Sequence, residues 1–584
     1  MWTTALLSLL PLAAAQLALP NSSFIPPDIS TGSKPSSGGF PNPAWSSLLG
    51  SLLYFYDEQR SGVLPSTNRV PWRNDSLIYE GKDLGIDLIG GFYDAGDFSK
   101  DTYPLSFALM SMCWGATDFG KGYDMANQTA YLDDTLRWGL DWLIKAHPNA
   151  SSLVVMVPNG ETVIPDKDNS YWGGDRSIPS PRPVYMINDA NPGTDAAAQA
   201  AAAFAACSNL YANRSFSSSY SAPAQLKNDS YADTLLTHAQ QLYSFAVNAT
   251  NGRKTYQTSV PQVSYAYASS GYGDELTMAA LFLASATGSS SLYKDAEAFY
   301  TKYGLANNAR AFNWDSKVPG LLVLFAQLNQ ASSSLDGNFT TWRDHAESYF
   351  DDIINHKGPG FMTDDGLLYY DGDSDDASLN PALNAAMLLN RFAPLASTPD
   401  KKNAYQDFAK SQVDYALGKN SMSMPYIVGV NPNSPTNPHS AMAAGGFDIG
   451  QIDTDPVHEA YVLYGAVVGG PDRRGRFFDI RSDWPQTEIA LDYNAPMLTL
   501  ASMHVASDPN DPFYTALQAG AYDKVKPKGR PCDSAIQDGC QGSRLSKNAT
   551  LAMAVVITAV GLLIIGLSAW YIILVMKSRR VAKF

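Results

Sequence analysis

An all-α ring of helical hairpins, followed by one C-terminal membrane-spanning helix, is the fold this sequence predicts. Three observations carry that reading. Twelve apolar windows of helical length recur at 45–60, 103–119, 128–146, 194–212, 230–247, 272–286, 289–302, 318–329, 340–355, 382–394, 402–417 and 486–506. Alternating β patterns between them are few and short, which fits neither an all-β nor a doubly wound sheet. Residues 551–576 contain no charge at all. No sequence repeat marks the hairpins, so the ring rests on helix count and on the alternation of short and long loops.

The elements follow in chain order. Residues 1–15 hold an apolar run from Ala5 to Leu12 and then Ala13-Ala14-Ala15 before Gln16. That is a signal peptide with a small-residue cleavage site, too short to span a bilayer, although its n-region has no Lys or Arg. Residues 16–43 are rich in Pro, Ser and Gly and read as a lead-in linker. The helical body occupies 44–507. One start within it is explicit: Pro192 and Gly193 punctuate, Thr194 can cap, Asp195 favours the first turn, and an alanine run carries the helix. Residues 508–550 turn Pro-, Asp- and Lys-rich and read as a stalk. The segment 551–576 makes about 39 Å of helix at ~1.5 Å per residue, enough to cross a ~30 Å hydrocarbon core. Lys577, Arg579, Arg580 and Lys583 follow, placing the tail 577–584 in the cytoplasm and everything before the span outside.

Composition narrows the function. The 584 residues are 45% hydrophobic but only 17% charged, with a formal net charge of −15 and a pI near 4.9. Phosphate backbones are repelled by such a surface, which excludes nucleic acid as a partner; an uncharged substrate suits it. Cys532 and Cys540 sit in a loop-rich stretch as a local disulfide of an oxidising compartment. Cys113 and Cys207 lie in helical windows and are either a second bridge or two small buried thiols. Glycosylation sequons at Asn21, Asn74, Asn127, Asn149, Asn213, Asn228, Asn248, Asn338 and Asn548 agree with an external chain.

Two constellations carry chemistry. Gly90-Gly91-Phe92-Tyr93-Asp94-Ala95-Gly96-Asp97 sets two carboxylates three apart in a glycine-rich loop before a helix. Paired carboxylates hold and deprotonate a water; the alternative is a capped loop. The second runs from Phe477 through Asp479, Trp484 and Glu488 to Tyr493 and Ala495. Glu488 falls at the start of an apolar window, where a helix entry would set it beside Trp484 and Tyr493. Aromatic neighbours desolvate a carboxyl and raise its pKa, as a general acid requires. Otherwise it is a first-turn Glu favoured by the helix dipole.

These stretches, taken together, resemble glycoside hydrolase family 9, the inverting β-1,4-glucanases. The resemblance runs from Trp45 to Ser507, through Tyr56–Gly62, Arg69–Arg73, Gly91–Asp97, Leu143–Pro148, Pro192–Asp195, Ser411–Lys419, Gly469–Asp472 and Asp479–Ala495. It implies an (α/α)6 barrel with long loops at the active-site end. It also implies Asp97 as general base, Asp94 as its partner in holding the attacking water, Glu488 as general acid, and Asp479 as a supporting carboxylate. Inversion needs the acid and base roughly 6.5–9.5 Å apart. Asp97 and Glu488 are 391 positions apart in sequence, so only a closed ring brings them together.

Departures from the family fall on the cleft floor. His439 stands in Pro438-His439-Ser440-Ala441 without the usual Arg; Asp168-Asn169-Ser170 replaces an Asp-His pair; Asp376 and Asn380 stand where Trp and Arg are usual. His439, Trp172 and Tyr493 are the expected substrate-binding residues, with Trp172 either a sugar platform or a packed core residue. The resemblance further implies a structural calcium ion held by Ser270, Gly271, Asp274, Glu275 and Asp315, hard oxygen ligands of the right kind; a capped helix start needs no metal. The expected protein is a membrane-anchored extracellular endo-β-1,4-glucanase at the plasma membrane, releasable by cleavage of its stalk. The alternatives are a mixed-linkage glucanase or xyloglucanase of the same mechanism, and a non-catalytic glucan-binding surface protein.

Overall fold

A computed structural model describes residues 16–32, 34–36, 38–159, 171–180, 182–216, 221–537, 540 and 547–581. The expected signal peptide and Asp168 to Ser170 lie outside the described residues.

Twelve helices build the body: α1 (Pro43–Glu58), α2 (Thr102–Met125), α3 (Thr129–Ala146), α4 (Thr194–Tyr211), α5 (Asp229–Asn248), α6 (Gly273–Thr287), α7 (Ser290–Lys302), α8 (Val318–Ala331), α9 (Phe339–Ile354), α10 (Leu379–Phe392), α11 (Pro399–Ala416) and α12 (Leu491–Ser507). Each matches one of the twelve apolar windows. The even-numbered helices pack side by side as an inner ring, and each carries an outer partner: α3 on α2, α5 on α4, α7 on α6, α9 on α8, α11 on α10. The sixth pair joins the last helix to the first, because α12 packs against both α1 and α2. The ring is the (α/α)6 barrel.

Sequence decides which helices go inside. All eighteen residues of α4 are buried, and its alanine run lets neighbours approach from both sides. At Gly115 a Cβ would stand 2.0 Å from Thr499 Oγ1, and at Gly122 only 1.9 Å from the Ser502 carbonyl oxygen. Those two glycines let α2 and α12 lie close enough to close the ring. A disulfide between Cys113 and Cys207 ties α2 to α4, which resolves the open question about that pair.

Caps follow the side chains. Asn42 accepts from Ala44 N and Trp45 N at the start of α1, and Asn338 accepts from Thr341 N at the start of α9. Thr194 does not cap α4. It is the first helical residue, and its Oγ1 accepts from Lys254 N at 3.1 Å, while Asp195 Oδ1 accepts from Ala196 N and Tyr256 N.

Strands are confined to the long loops. Lys100–Asp101 (β1), Ser152–Val157 (β2) and Tyr185–Asn188 (β3) form an antiparallel sheet in that order, and Phe361–Met362 (β4) pairs with Leu368–Tyr369 (β5).

Two expected linkers prove to be packed. Within 16–43, Leu17 N donates to Asp133, Phe24 N donates to Tyr131 Oη, and both side chains lie on the core. Beyond Ser507, Tyr514 and Tyr522 are buried, and Tyr522 Oη donates to the Phe477 carbonyl at 2.9 Å. Asp511 meanwhile holds Ser36 and Asn42. The compact body thus runs to Lys528 rather than to Ser507. Aromatic anchors a few residues apart in a Pro- and Asp-rich stretch give little periodicity to read.

A second unit, Gly529–Phe584, contains the Cys532–Cys540 disulfide and the helix α13 (Lys547–Val581). Thr558–Met576 within α13 has a mean hydropathy of 2.4 and is long and apolar enough to cross a membrane. Of the sequons, Asn21, Asn127, Asn149, Asn213, Asn248 and Asn338 are exposed; Asn74 and Asn228 are half-buried.

Candidate active site

The loops that precede α2 and α12 meet at one end of the ring. Leu491 N donates to the Asp94 carbonyl at 3.0 Å, and Ala441 N to the Gly96 carbonyl at 2.7 Å. His439 and Glu488 pair as a parallel bridge, and Gly96 packs against the His439 backbone so tightly that a Cβ there would fall 2.2 Å from its carbonyl oxygen. Three segments distant in sequence are thereby stitched into one floor carrying Asp94, Asp97, His439 and Glu488.

Glu488 does not sit at a helix entry. It follows a four-residue helix, Trp484–Thr487, in extended conformation, and its carbonyl accepts from Gly469 N at 2.9 Å. Tyr493 is beside it, so the aromatic contact survives. Desolvation, and then the charge of Asp97, pushes the Glu488 carboxyl up to about 8, against the opposing pull of the Gly96 amide. A carboxyl in that range keeps its proton at neutral pH and can donate it.

Asp97 is half-buried, and its Oδ1 accepts from Ser99 N at 2.9 Å and Ser99 Oγ at 2.8 Å. Asp94 is buried. Its Oδ2 accepts from Tyr267 Oη, and its Oδ1 has no hydrogen-bond partner among the described residues. Burial above all, and then the charge of Asp101, pushes the Asp94 carboxyl well above its ordinary value. Tyr267 is a site residue that the sequence did not disclose, since it lies in an irregular segment without a motif.

Asp479 supports rather than reacts. It takes the left-handed conformation, φ 52°, uncommon for any residue but glycine. In return its carboxylate accepts from Thr436 N, Thr436 Oγ1 and Asn437 N at 2.8–3.1 Å. Those bonds hold the backbone two residues before His439. The His439 ring donates from Nδ1 to the Arg481 carbonyl at 2.8 Å, and burial pushes its pKa down, so the neutral ring presents Nε2 as an acceptor.

Trp172 corrects the platform reading. It is 3% exposed, tilted against the His439 ring at 5.0 Å, and clustered with Tyr93, Phe98 and Met442. It braces the histidine. Asn380, in place of the family's arginine, turns to Asp492, donating to both its carboxylate and its carbonyl.

The expected calcium ligands also have partners within the protein. Glu275 forms a fully buried ion pair with Lys317 at 2.8 Å and also accepts from Tyr103 Oη. Asp274 accepts from Lys317 N, and Asp315 accepts from Ser270 N. Among the described residues no group of three acidic, His or Cys side chains converges as metal ligands.

Paired carboxylates in the loops at one end of an (α/α)6 ring, one kept protonated and another held open toward water, define a glycosidase-type acid–base site. The glycosyl hydrolase family 9 profile matches residues 45–501, and the chain belongs to that family. It is 35% identical over 461 residues to Endoglucanase B of Cellulomonas fimi, covering 77% of this chain but only 41% of that protein's length. The structure of an endoglucanase from the termite Nasutitermes takasagoensis superposes with a TM-score of 0.69 at 34% identity, over 79% of this chain and 98% of that one. Endoglucanase CelQ from Clostridium thermocellum, solved with cellotetraose, gives 0.65 at 27% identity, over 85% of this chain and 73% of that one.

Proposed function

We propose that this protein hydrolyses internal β-1,4-glucosidic bonds of cellulose-like glucans with inversion at the anomeric carbon. The observation that carries the reading is the shared floor at one end of the barrel, where Glu488 lies close enough to Asp97 for its charge, with burial, to push the Glu488 carboxyl up to about 8. Glu488 gives its proton to the glycosidic oxygen as the C–O bond breaks. Asp97 takes a proton from the water that attacks the opposite face of the sugar ring. Asp94, oriented by Tyr267, holds that water, and His439 accepts from a sugar hydroxyl. A proton passing from Asp97 to Glu488 through solvent resets the pair. Relatives named as endoglucanases and a neighbour solved with cellotetraose support a β-1,4-glucan as the substrate.

We also infer that the enzyme is secreted, glycosylated on its exposed sequons and held at the cell surface by α13. The apolar span and the basic residues after it support that topology.

The test is hydrolysis by the soluble body, residues 16–528, on carboxymethylcellulose, mixed-linkage glucan and xyloglucan. Early-time proton NMR should show the α-anomer as first product. A β-anomer means a covalent intermediate and ends the inverting assignment. No new reducing ends on any of the three leaves the non-catalytic glucan binder.

A further inference from the structure

We propose that the cavity at the pole opposite the catalytic loops is a second, non-catalytic site for a neutral mono- or disaccharide. It holds about 610 Å³, within the ~300–1,000 Å³ of small-ligand sites. Its walls are the C-terminal ends of the inner helices α2 and α12, closed on one side by the outer helix α11. The catalytic carboxylates precede the N-termini of α2 and α12. The seventeen residues of α12 therefore put the two sites about 25 Å apart.

Just beneath the floor lie polar atoms that the protein does not use. Asp118 is 2% exposed; its Oδ2 accepts from Arg391 Nε at 2.6 Å and from Gln327 Nε2 at 3.0 Å. Its Oδ1 has no hydrogen-bond partner among the described residues. His504, 5% exposed, stacks on Trp45 and turns Nδ1 to Asp508 at 3.2 Å, while its Nε2 is likewise without a partner among those residues. Buried polar atoms without partners are rare in folded proteins and call for a ligand or solvent.

Charge then selects the ligand. Arg391 neutralises Asp118 and Asp414 neutralises Lys410, while Lys121 and Lys402 on the wall are balanced by Asp407 and Asp508, so no net field favours an anion or a cation. Gln406 and Ser507 add neutral donors and acceptors, and Met503 and Pro394 add an apolar face. Alternating donors and acceptors over an apolar patch match a pyranose, with its ring of hydroxyls and its C–H face. The choice of cellobiose as the probe rests on the proposed hydrolase function; the site itself does not.

Hydrogen exchange on the full chain in detergent tests this. At ten times its dissociation constant, cellobiose should slow exchange at 118–122 and 503–508 by about elevenfold. Ala506→Trp, which fills the cavity from its half-buried edge, should abolish that protection and leave any at 94–99 intact. Lys402→Ala with Gln406→Ala, both exposed, gives the same readout with no packing change. Unchanged exchange at the pole overturns the site whatever the cleft does, and pole protection that survives Ala506→Trp overturns its location. Hydrolysis of carboxymethylcellulose by the same preparation separates the two claims: pole protection without turnover of that polymer sinks the proposed activity and keeps the site.

Discussion

Replacing Glu488 by Gln keeps the shape of the side chain and its acceptor toward the Gly96 amide but removes the transferable proton. With the carboxyl pushed up to about 8, about nine in ten molecules hold that proton at pH 7 and about one in ten at pH 9. Wild-type kcat should therefore fall on an alkaline limb centred near 8. General acid catalysis contributes roughly 10²–10⁴-fold, about 2.7–5.4 kcal/mol of barrier, and the variant should lose that amount. Initial rates on an unactivated β-glucan between pH 5 and 10 measure both effects. A nitrophenyl cellobioside, whose leaving group needs little protonation, should lose much less. If the variant stays within threefold of wild type on glucan, or keeps the alkaline limb, Glu488 is not the acid.

Other expectations follow from packing and charge. Truncation after Lys528 should leave activity on soluble glucan unchanged, whereas truncation after Ser507 should lower the thermal midpoint by removing Tyr514 and Tyr522; equal midpoints would show that the segment is a tether after all. Cys113→Ala with Cys207→Ala should cost about 4–5 kcal/mol in urea unfolding, since the bridge closes 94 residues of chain. His147 Nδ1 lies 2.7 Å from His238 Nδ1, and burial pushes His147 down to about 4. A depressed histidine contributes stability that is complete above the unfolded value near 6.5 and is lost as pH falls toward 4, here up to about 3 kcal/mol. Urea midpoints at pH 7 and 4.5 should converge in His147→Phe relative to wild type; an identical pH dependence would clear the pair.

Helix positions were legible because burial on a ring leaves a periodic apolar signature, and all twelve windows became helices. The alanine run of α4 even disclosed its place inside. What could not be read was imposed from far away. Ile489 to Leu491 continue the apolar pattern of α12, so Glu488 reads as a helix entry, yet pairing of Glu488 with His439 and of Ile489 with Val468 holds the segment extended. Trp172 carries no local sign of whether it faces solvent, and its burial depends on Phe98 and Met442. Lys317, 42 positions beyond Glu275, is its ion-pair partner, and no local spacing announces that contact. Asp94, Asp97 and Asp479 were found by motif, and Tyr267 was not, because a lone tyrosine in an irregular segment has no spacing to recognise.

On the proposed mechanism, ring closure between the first and last helices sets when this protein can become active. The ribosome makes Asp97 early and Glu488 391 residues later, about 20–80 s at 5–20 residues per second. Until α12 has emerged and docked between α1 and α2, the base stands in an open arc with no acid opposite it. A chain interrupted anywhere before Glu488 thus lacks the proposed acid, however well its early hairpins fold. Because the closing contacts join the two ends of the body, they carry the largest loop-closure cost and form late. On the proposed mechanism, catalytic competence therefore serves as a built-in report that the whole barrel has been made and closed.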